Sequence, residues 1–163
     1  TKLEIPEQNR MMFDEDHLEI LYDDWEESFK EETMNGGKPA NRLIIFDDCG
    51  YSGSLKNYKK ENIIDKLICN GRHMNLSQIY TSQRFSQCST TLRTNLTGAI
   101  LFNTSAKELD LITDDMNYMA KSNDFIKMFR SETKEPRSFL VVNFSNPPEA
   151  LYMNQFFQPI SWT

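Results

Sequence analysis

The feature that most constrains this chain is a short apolar run, Leu43-Ile44-Ile45-Phe46, which ends abruptly in Asp47-Asp48-Cys49-Gly50. Four apolar residues without alternation, introduced by Pro39 and Asn41, read as a strand buried on both faces, the pattern of a parallel strand covered by helices. Open sheets of that kind keep their chemistry just beyond the C-terminal ends of their strands. Two adjacent acids stand at that place.

The rest of the sequence alternates between helix and strand signals. From Asp14 to Met34, Leu18, Leu21, Tyr22, Trp25 and Phe29 recur at helical spacing among many acids, and Asn35-Gly36-Gly37 supplies the stop. The acid-rich face reads as a solvated surface, with docking of a basic partner as the alternative. Gly50, Ser52 and Gly53 mark a loop, after which Ile63, Ile64, Leu67 and Ile68 line one helical face up to Asn70-Gly71. A second apolar run covers Leu76 to Tyr80 and ends in Thr81-Ser82-Gln83. Residues 85–95 read as a loop with a short helix, and Gly98-Ala99-Ile100-Leu101-Phe102 as a third strand. Ser105 with Glu108 forms a capping box, opening a helix whose stripe runs through Leu109, Ile112, Met116 and Met119. A helix near Asp124 to Arg130 and a strand through Phe139-Leu140-Val141-Val142 follow, and the aromatic tail reads as irregular. Strands separated by helices predict an α/β fold: a mainly parallel sheet flanked by helices, with Asp47, Asp48 and Gln83 on one rim.

Composition narrows the function classes. Eighteen Lys and Arg against 24 Asp and Glu give a net charge of -6, the wrong sign for a surface that grips phosphates all over, so any nucleic-acid contact is local. Three cysteines, Cys49, Cys69 and Cys88, form no C-x-x-C pair and no disulfide framework, which points to a reducing intracellular compartment. No run of about twenty apolar residues predicts a membrane-spanning helix.

An apolar strand delivering two carboxylates suits a nucleotide-dependent hydrolase, in which one acid holds Mg2+ and the next orients or deprotonates an attacking water. Strands also end in acids for solubility or helix capping. Gln83, closing the neighbouring run, offers a neutral amide that can sense a γ-phosphate or align the water. Arg72 precedes that run and so lies at the opposite end of its own subunit. A role for it in phosphate chemistry is therefore natural in trans, as an arginine finger, with capping of the preceding helix as the alternative. Arg93 carries the same ambiguity.

Taken together, Leu43-Ile44-Ile45-Phe46-Asp47-Asp48 resembles a Walker B strand. Asn70-Gly71-Arg72-His73 through Tyr80-Thr81-Ser82-Gln83, followed by Leu92-Arg93-Thr94-Asn95, resembles the downstream half of the FtsK/HerA superfamily. The likeness is to the poxvirus-type genome-packaging ATPases of large DNA viruses and virophages. It divides the chain into an acidic helical segment (1–41), the C-terminal part of an ATPase domain (42–148) and an aromatic tail (149–163). The resemblance implies an ASCE-type P-loop fold, ATP with Mg2+, a homo-oligomeric ring, and translocation of double-stranded DNA into a capsid at a portal-like vertex. It places the protein in the virion or the host cytoplasm. It also implies roles: Asp47 as the Mg2+ carboxylate, Asp48 as the residue that polarises the water, Gln83 as the sensor and Arg72 as the trans finger. Arg93 and Asn95 match a further motif whose role is left open.

The chain departs from that pattern in one respect. It contains no G-x-x-x-x-G-K-[ST] loop, since Gly36-Gly37-Lys38 is followed by Pro39 and has no strand before it. Without such a loop's N–H groups and Lys, these residues alone are expected to bind ATP poorly, as the C-terminal part of a longer protein. Two other readings stand beside the motor: a non-hydrolysing, capsid-associated interaction module, and another RecA-like or helicase-like ATPase.

Overall fold

The computed structural model describes residues 5–49 and 62–161. The loop expected at Gly50, Ser52 and Gly53 lies outside the described residues. The chain divides into two compact units, Thr1–Thr81 and Ser82–Thr163.

The first unit is built on a two-stranded parallel sheet, β1 (Arg42–Phe46) beside β2 (Leu76–Tyr80), with Arg42 opposite Leu76 and Phe46 opposite Tyr80. Helix α1 (Glu15–Met34) starts where the Asp14 carboxylate accepts the His17 N–H at 2.8 Å. It stops where Gly36 takes the left-handed φ of 70°. Its stripe delivers Leu18 and Tyr22 to the core, with Trp25 and Phe29 packed beside them, while Asp23, Asp24 and Glu27 face solvent. Helix α2 (Ile63–Asn70) adds Ile63, Ile64 and Leu67 after Asn62 Oδ1 caps the Ile64 N–H at 2.9 Å. The Lys66 ammonium sits 4.2 Å over the Tyr22 ring, tying the two helices together.

A 3-10 turn, Gly71–Met74, and left-handed Asn75 (φ 55°) lead into β2. Gly71 leaves room there for the Gln78 amide: a Cβ on it would stand 2.3 Å from Gln78 Nε2, and that side chain would have to shift. That amide donates to the last-turn carbonyl of Leu67 at 2.6 Å, and Gln78 Oε1 accepts from the Tyr80 hydroxyl at 2.6 Å.

One expectation for β1 is corrected. Ile44 and Phe46 face the core, but Leu43 is 57% and Ile45 46% exposed, with Ile79, paired to Ile45, 47% exposed. An unbroken apolar run shows that both faces are apolar. It does not show what covers them, and among the described residues α1 and α2 pack against one face.

In the second unit β3 (Gly98–Phe102), β4 (Phe139–Asn143) and β5 (Tyr152–Met153) form a three-stranded antiparallel sheet in that order. Among the described residues, then, parallel pairing is that of β1 with β2. The chain between β3 and β4 folds into two helices, α4 (Ala106–Met116) and α5 (Ser122–Glu132), and an even number of reversing helices returns the next strand antiparallel. A five-residue helix, α3 (Thr90–Thr94), precedes β3. Leu101, Leu109, Ile112, Met116, Phe125, Phe129, Leu140, Val142 and Tyr152 make the core.

The tail is less irregular than its sequence suggests, because Tyr152 is fully buried in β5. Its hydroxyl donates to Met116 O at 2.7 Å and accepts the Tyr118 N–H at 2.8 Å. By engaging those two backbone groups it closes α4, which ends at Met116 rather than running on through Met119. Among the described residues no helix is long and apolar enough to cross a membrane.

Candidate functional site

The C-terminal ends of β1 and β2 lie side by side and are levelled from beneath. Phe46 and Tyr80, the last register pair, stack with ring centroids 4.7 Å apart and planes 7° from parallel. The Thr81 N–H then donates to Phe46 O at 2.9 Å, carrying the ladder one step past the strands. Burial above all, with the nearby Asp65 carboxylate, drives the Tyr80 hydroxyl well above its ordinary pKa, so it remains a proton donor to Gln78.

Asp47 and Asp48 follow Phe46 at the end of β1, both exposed. The Thr81 hydroxyl donates to Asp47 Oδ1 at 2.7 Å and accepts the Asp48 N–H at 2.9 Å. One side chain of β2's end therefore holds the Asp47 carboxylate and the Asp48 backbone of β1's end. Asp48 takes a left-handed φ of 52°, a conformation that Asp adopts more readily than most residues. The backbone leaves the strand there, so the two neighbouring carboxylates are not assigned to opposite faces by the strand's pleat. Beside them, burial and then the Asp47 and Asp48 charges push the Cys49 thiol up, which keeps it from acting as a thiolate nucleophile at neutral pH.

The donors at this end are carboxylate and hydroxyl oxygens, the hard ligands that Mg2+ takes. Among the described residues no group of three or more His, Cys, Asp or Glu could hold a metal ion. Two carboxylates are the oxygen donors that a nucleotide site's Mg2+ takes alongside phosphate and water.

The remaining predicted residues fall in three places. Arg72 is exposed on the turn before β2, at the far end of that five-residue strand from the acids, as its position in sequence implied. Gln83 is exposed and lies two residues after Thr81, in the second unit, within a turn where Ser82 Oγ donates to Arg84 O at 2.9 Å. Arg93, near the end of α3, pairs with Asp115 of α4, and its guanidinium lies 5.5 Å from the Phe85 ring centroid. Asn95 caps that short helix, its side chain donating to Thr91 O at 2.8 Å. Sequence reasoning passed over Thr81. Its bond to Asp47 follows from the β1–β2 register, which no local sequence pattern carries.

The capping box is only half made. Ser105 Oγ accepts the Glu108 N–H at 3.4 Å, but the Glu108 carboxylate turns away from the helix start, taking the Ser86 hydroxyl at 2.6 Å and the Ser86 N–H at 2.8 Å. Burial acts to raise the Glu108 pKa. The two Ser86 bonds, helped by Arg84 and Lys107, outweigh it and hold the group below its ordinary 4.5.

Comparison with known proteins gives a consistent picture. A family model described as Poxvirus A32 protein matches residues 10–149. No curated protein sequence matches the chain significantly. Among solved structures, the genome packaging NTPase of Sulfolobus turreted icosahedral virus 2 bound to ATP-γS is similar at 18% identity and a TM-score of 0.55, over 88% of this chain and 62% of that one. Its complex with AMPPCP gives 19% identity and a TM-score of 0.58, over 91% and 63%. The DNA-packaging ATPase of Sulfolobus turreted icosahedral virus gives 15% identity and a TM-score of 0.59, over 92% and 66%. The chain spans less than two thirds of the length of these relatives, and the likeness establishes a shared α/β fold with a parallel sheet, present here in part.

Proposed function

The chain belongs to the Poxvirus A32 protein family, matched over residues 10–149, and from that premise we propose that it is the Walker B and sensor portion of an ATP-driven motor that packages double-stranded DNA into viral capsids. The observation that carries this reading is the acid pair at the end of two parallel strands, with the Asp47 carboxylate and the Asp48 backbone N–H both bonded to Thr81. The nucleotide analogues bound to the packaging NTPase of similar fold support ATP as the ligand.

In this reading Asp47, aligned by the Thr81 hydroxyl, holds the water shell of Mg2+, and Asp48 orients and polarises the attacking water. Mg2+ supplies neutralisation of charge on the phosphates. Gln83 responds to the γ-phosphate without adding a negative charge. The phosphate cradle is supplied from outside these 163 residues, which contain no glycine-rich Lys-Ser or Lys-Thr loop. Arg72 is the finger, acting on the site of a neighbouring subunit in a ring. Its exposure supports that role, whereas the Arg93 guanidinium is engaged by Asp115.

Asp48→Asn in the complete protein tests the assignment. The expected outcome is loss of ATP hydrolysis with nucleotide binding and assembly retained. Hydrolysis at the wild-type rate would remove Asp48 from the mechanism. A complete protein that shows no thermal shift at saturating ATP would favour a non-hydrolysing, capsid-associated module instead.

A further inference from the structure

We infer that Glu108 is a positioning residue for Gln83, acting through a two-point clamp that fastens the segment behind Gln83 to one face of α4. The inference rests on the sensor role proposed for Gln83.

The side chain does what its sequence setting does not predict. A Glu three residues after a Ser N-cap ordinarily bonds back to the cap's own N–H. Glu108, only 9% exposed, instead spends both carboxylate oxygens on Ser86, 22 residues upstream. A carboxylate buried to that degree is destabilising unless its oxygens are satisfied, and two charge-assisted bonds to one residue satisfy them while fixing the direction of that residue's backbone. Ser86 is the centre of the 3-10 turn Phe85–Gln87. The second attachment is Arg93, which pairs with Asp115 and lies over Phe85. Residues 108 and 115 are seven apart, two helical turns, and so share a face of α4. Both attachments therefore fasten residues 85–93 to the same side of the same helix. Gln83 is the third residue before Ser86 and is enclosed by the Ser82 to Arg84 bond, leaving little slack between the turn and its amide. A displacement of about 1 Å in a catalytic group lowers rates by up to about 100-fold, so a clamp of this kind has a kinetic signature.

The experiment is a double-mutant cycle on steady-state ATP hydrolysis by the complete protein. Glu108→Ala is expected to lower kcat about 10-fold with KM for ATP changed less than about 2-fold. Glu108→Gln, which keeps one acceptor for Ser86, should recover most of that loss. Gln83→Ala/Glu108→Ala should be no slower than Gln83→Ala alone, because a positioning residue has nothing left to position. Multiplicative losses in the double variant, or an unchanged kcat in Glu108→Ala beside a slow Gln83→Ala, would overturn the clamp while leaving the sensor intact. A Gln83→Ala protein that hydrolyses at the wild-type rate would remove the sensor reading and this inference with it. If Glu108→Ala fails to assemble, Ser86→Ala, which deletes one of the two bonds, runs through the same cycle.

Discussion

The two stretches that meet at Thr81 are held by opposite means. On the near side Asp47 and Asp48 are exposed and are aligned by one neutral hydroxyl above a stacked aromatic pair. On the far side residues 85–93 carry no acid of their own and are fastened by charges from α4, with Glu108 buried and the Arg93 side chain only 14% exposed. The difference follows from what each stretch is proposed to do. Carboxylates that exchange water and cation ligands must stay hydrated, so strong buried partners would defeat them, while a segment that presents a neutral amide can be fixed as firmly as the fold allows. Changes on the near side should therefore act on chemistry with little effect on stability, and changes on the far side on both.

The largest stability effect is expected from Asp115→Ala, which leaves the Arg93 guanidinium mostly enclosed with its carboxylate gone. Breaking a buried pair destabilises by about 3–5 kcal/mol, and the 28% exposure of the Asp115 side chain reduces the expected loss to about 2–3 kcal/mol. Urea unfolding of the complete protein checks it. A loss under about 0.5 kcal/mol would mean the far side is no better anchored than an ordinary surface pair. Next comes Gly71→Ala, which probes the Gln78 bonds to Leu67 and Tyr80. The new Cβ displaces Gln78 and with it the bonds to Leu67 and Tyr80, so a destabilisation of about 1–2 kcal/mol is expected in the same measurement.

How far these features could be read from sequence depends on the range of the interaction. Elements set by local pattern were legible: the runs at 43–46 and 76–80, the Asp14 start and Gly36 stop of α1, and the alternation of strands with helices that gave the α/β class. The acid pair was legible for the same reason, since an apolar run that stops at two carboxylates announces itself. What failed was long-range. A capping box predicts where a Glu side chain goes from four residues, and nothing in those four records that Ser86 arrives from 22 residues upstream. Two residues of strand in an aromatic tail give no periodicity, so Tyr152 was invisible as core. The left-handed turn at Asp48 and the hydroxyl bridge from Thr81 likewise require the β1 and β2 register, which sequence alone does not supply.

The clamp also has a pH dependence. The folded-state pKa of Glu108 is depressed, so its contribution to stability is complete above the ordinary 4.5 and is lost as pH falls through the lower folded value. Arg84 and Lys107 are the charged neighbours that help to hold it down. Protonation takes the charge from the acceptor of the Ser86 N–H and weakens that bond, but leaves untouched the Leu92 N–H, which donates to Ser89 Oγ at 3.1 Å. Amide exchange followed into acid should therefore lose protection at Ser86 before Leu92, by about 3-fold or more. Simultaneous loss at both would show that acid melts the segment as a whole.

Thr81→Val should give the smallest change in stability and so the sharpest test of the comparison. It removes the hydroxyl that donates to Asp47 and accepts from Asp48, but both acids are exposed and water replaces the lost bonds, so about 0.5 kcal/mol is expected. The β-branched shape is kept, and the Thr81 N–H still reaches Phe46 O, so the strand ends stay level. Hydrolysis by the complete protein should nevertheless fall about 10-fold, with Thr81→Ser close to wild type, because Ser restores the hydroxyl and Val does not. Stability and rate would then separate on the near side as they do not at Asp115. A Thr81→Val protein that keeps its rate would mean that Asp47 and Asp48 need no partner from β2, and that levelling by Phe46 and Tyr80 alone sets the pair.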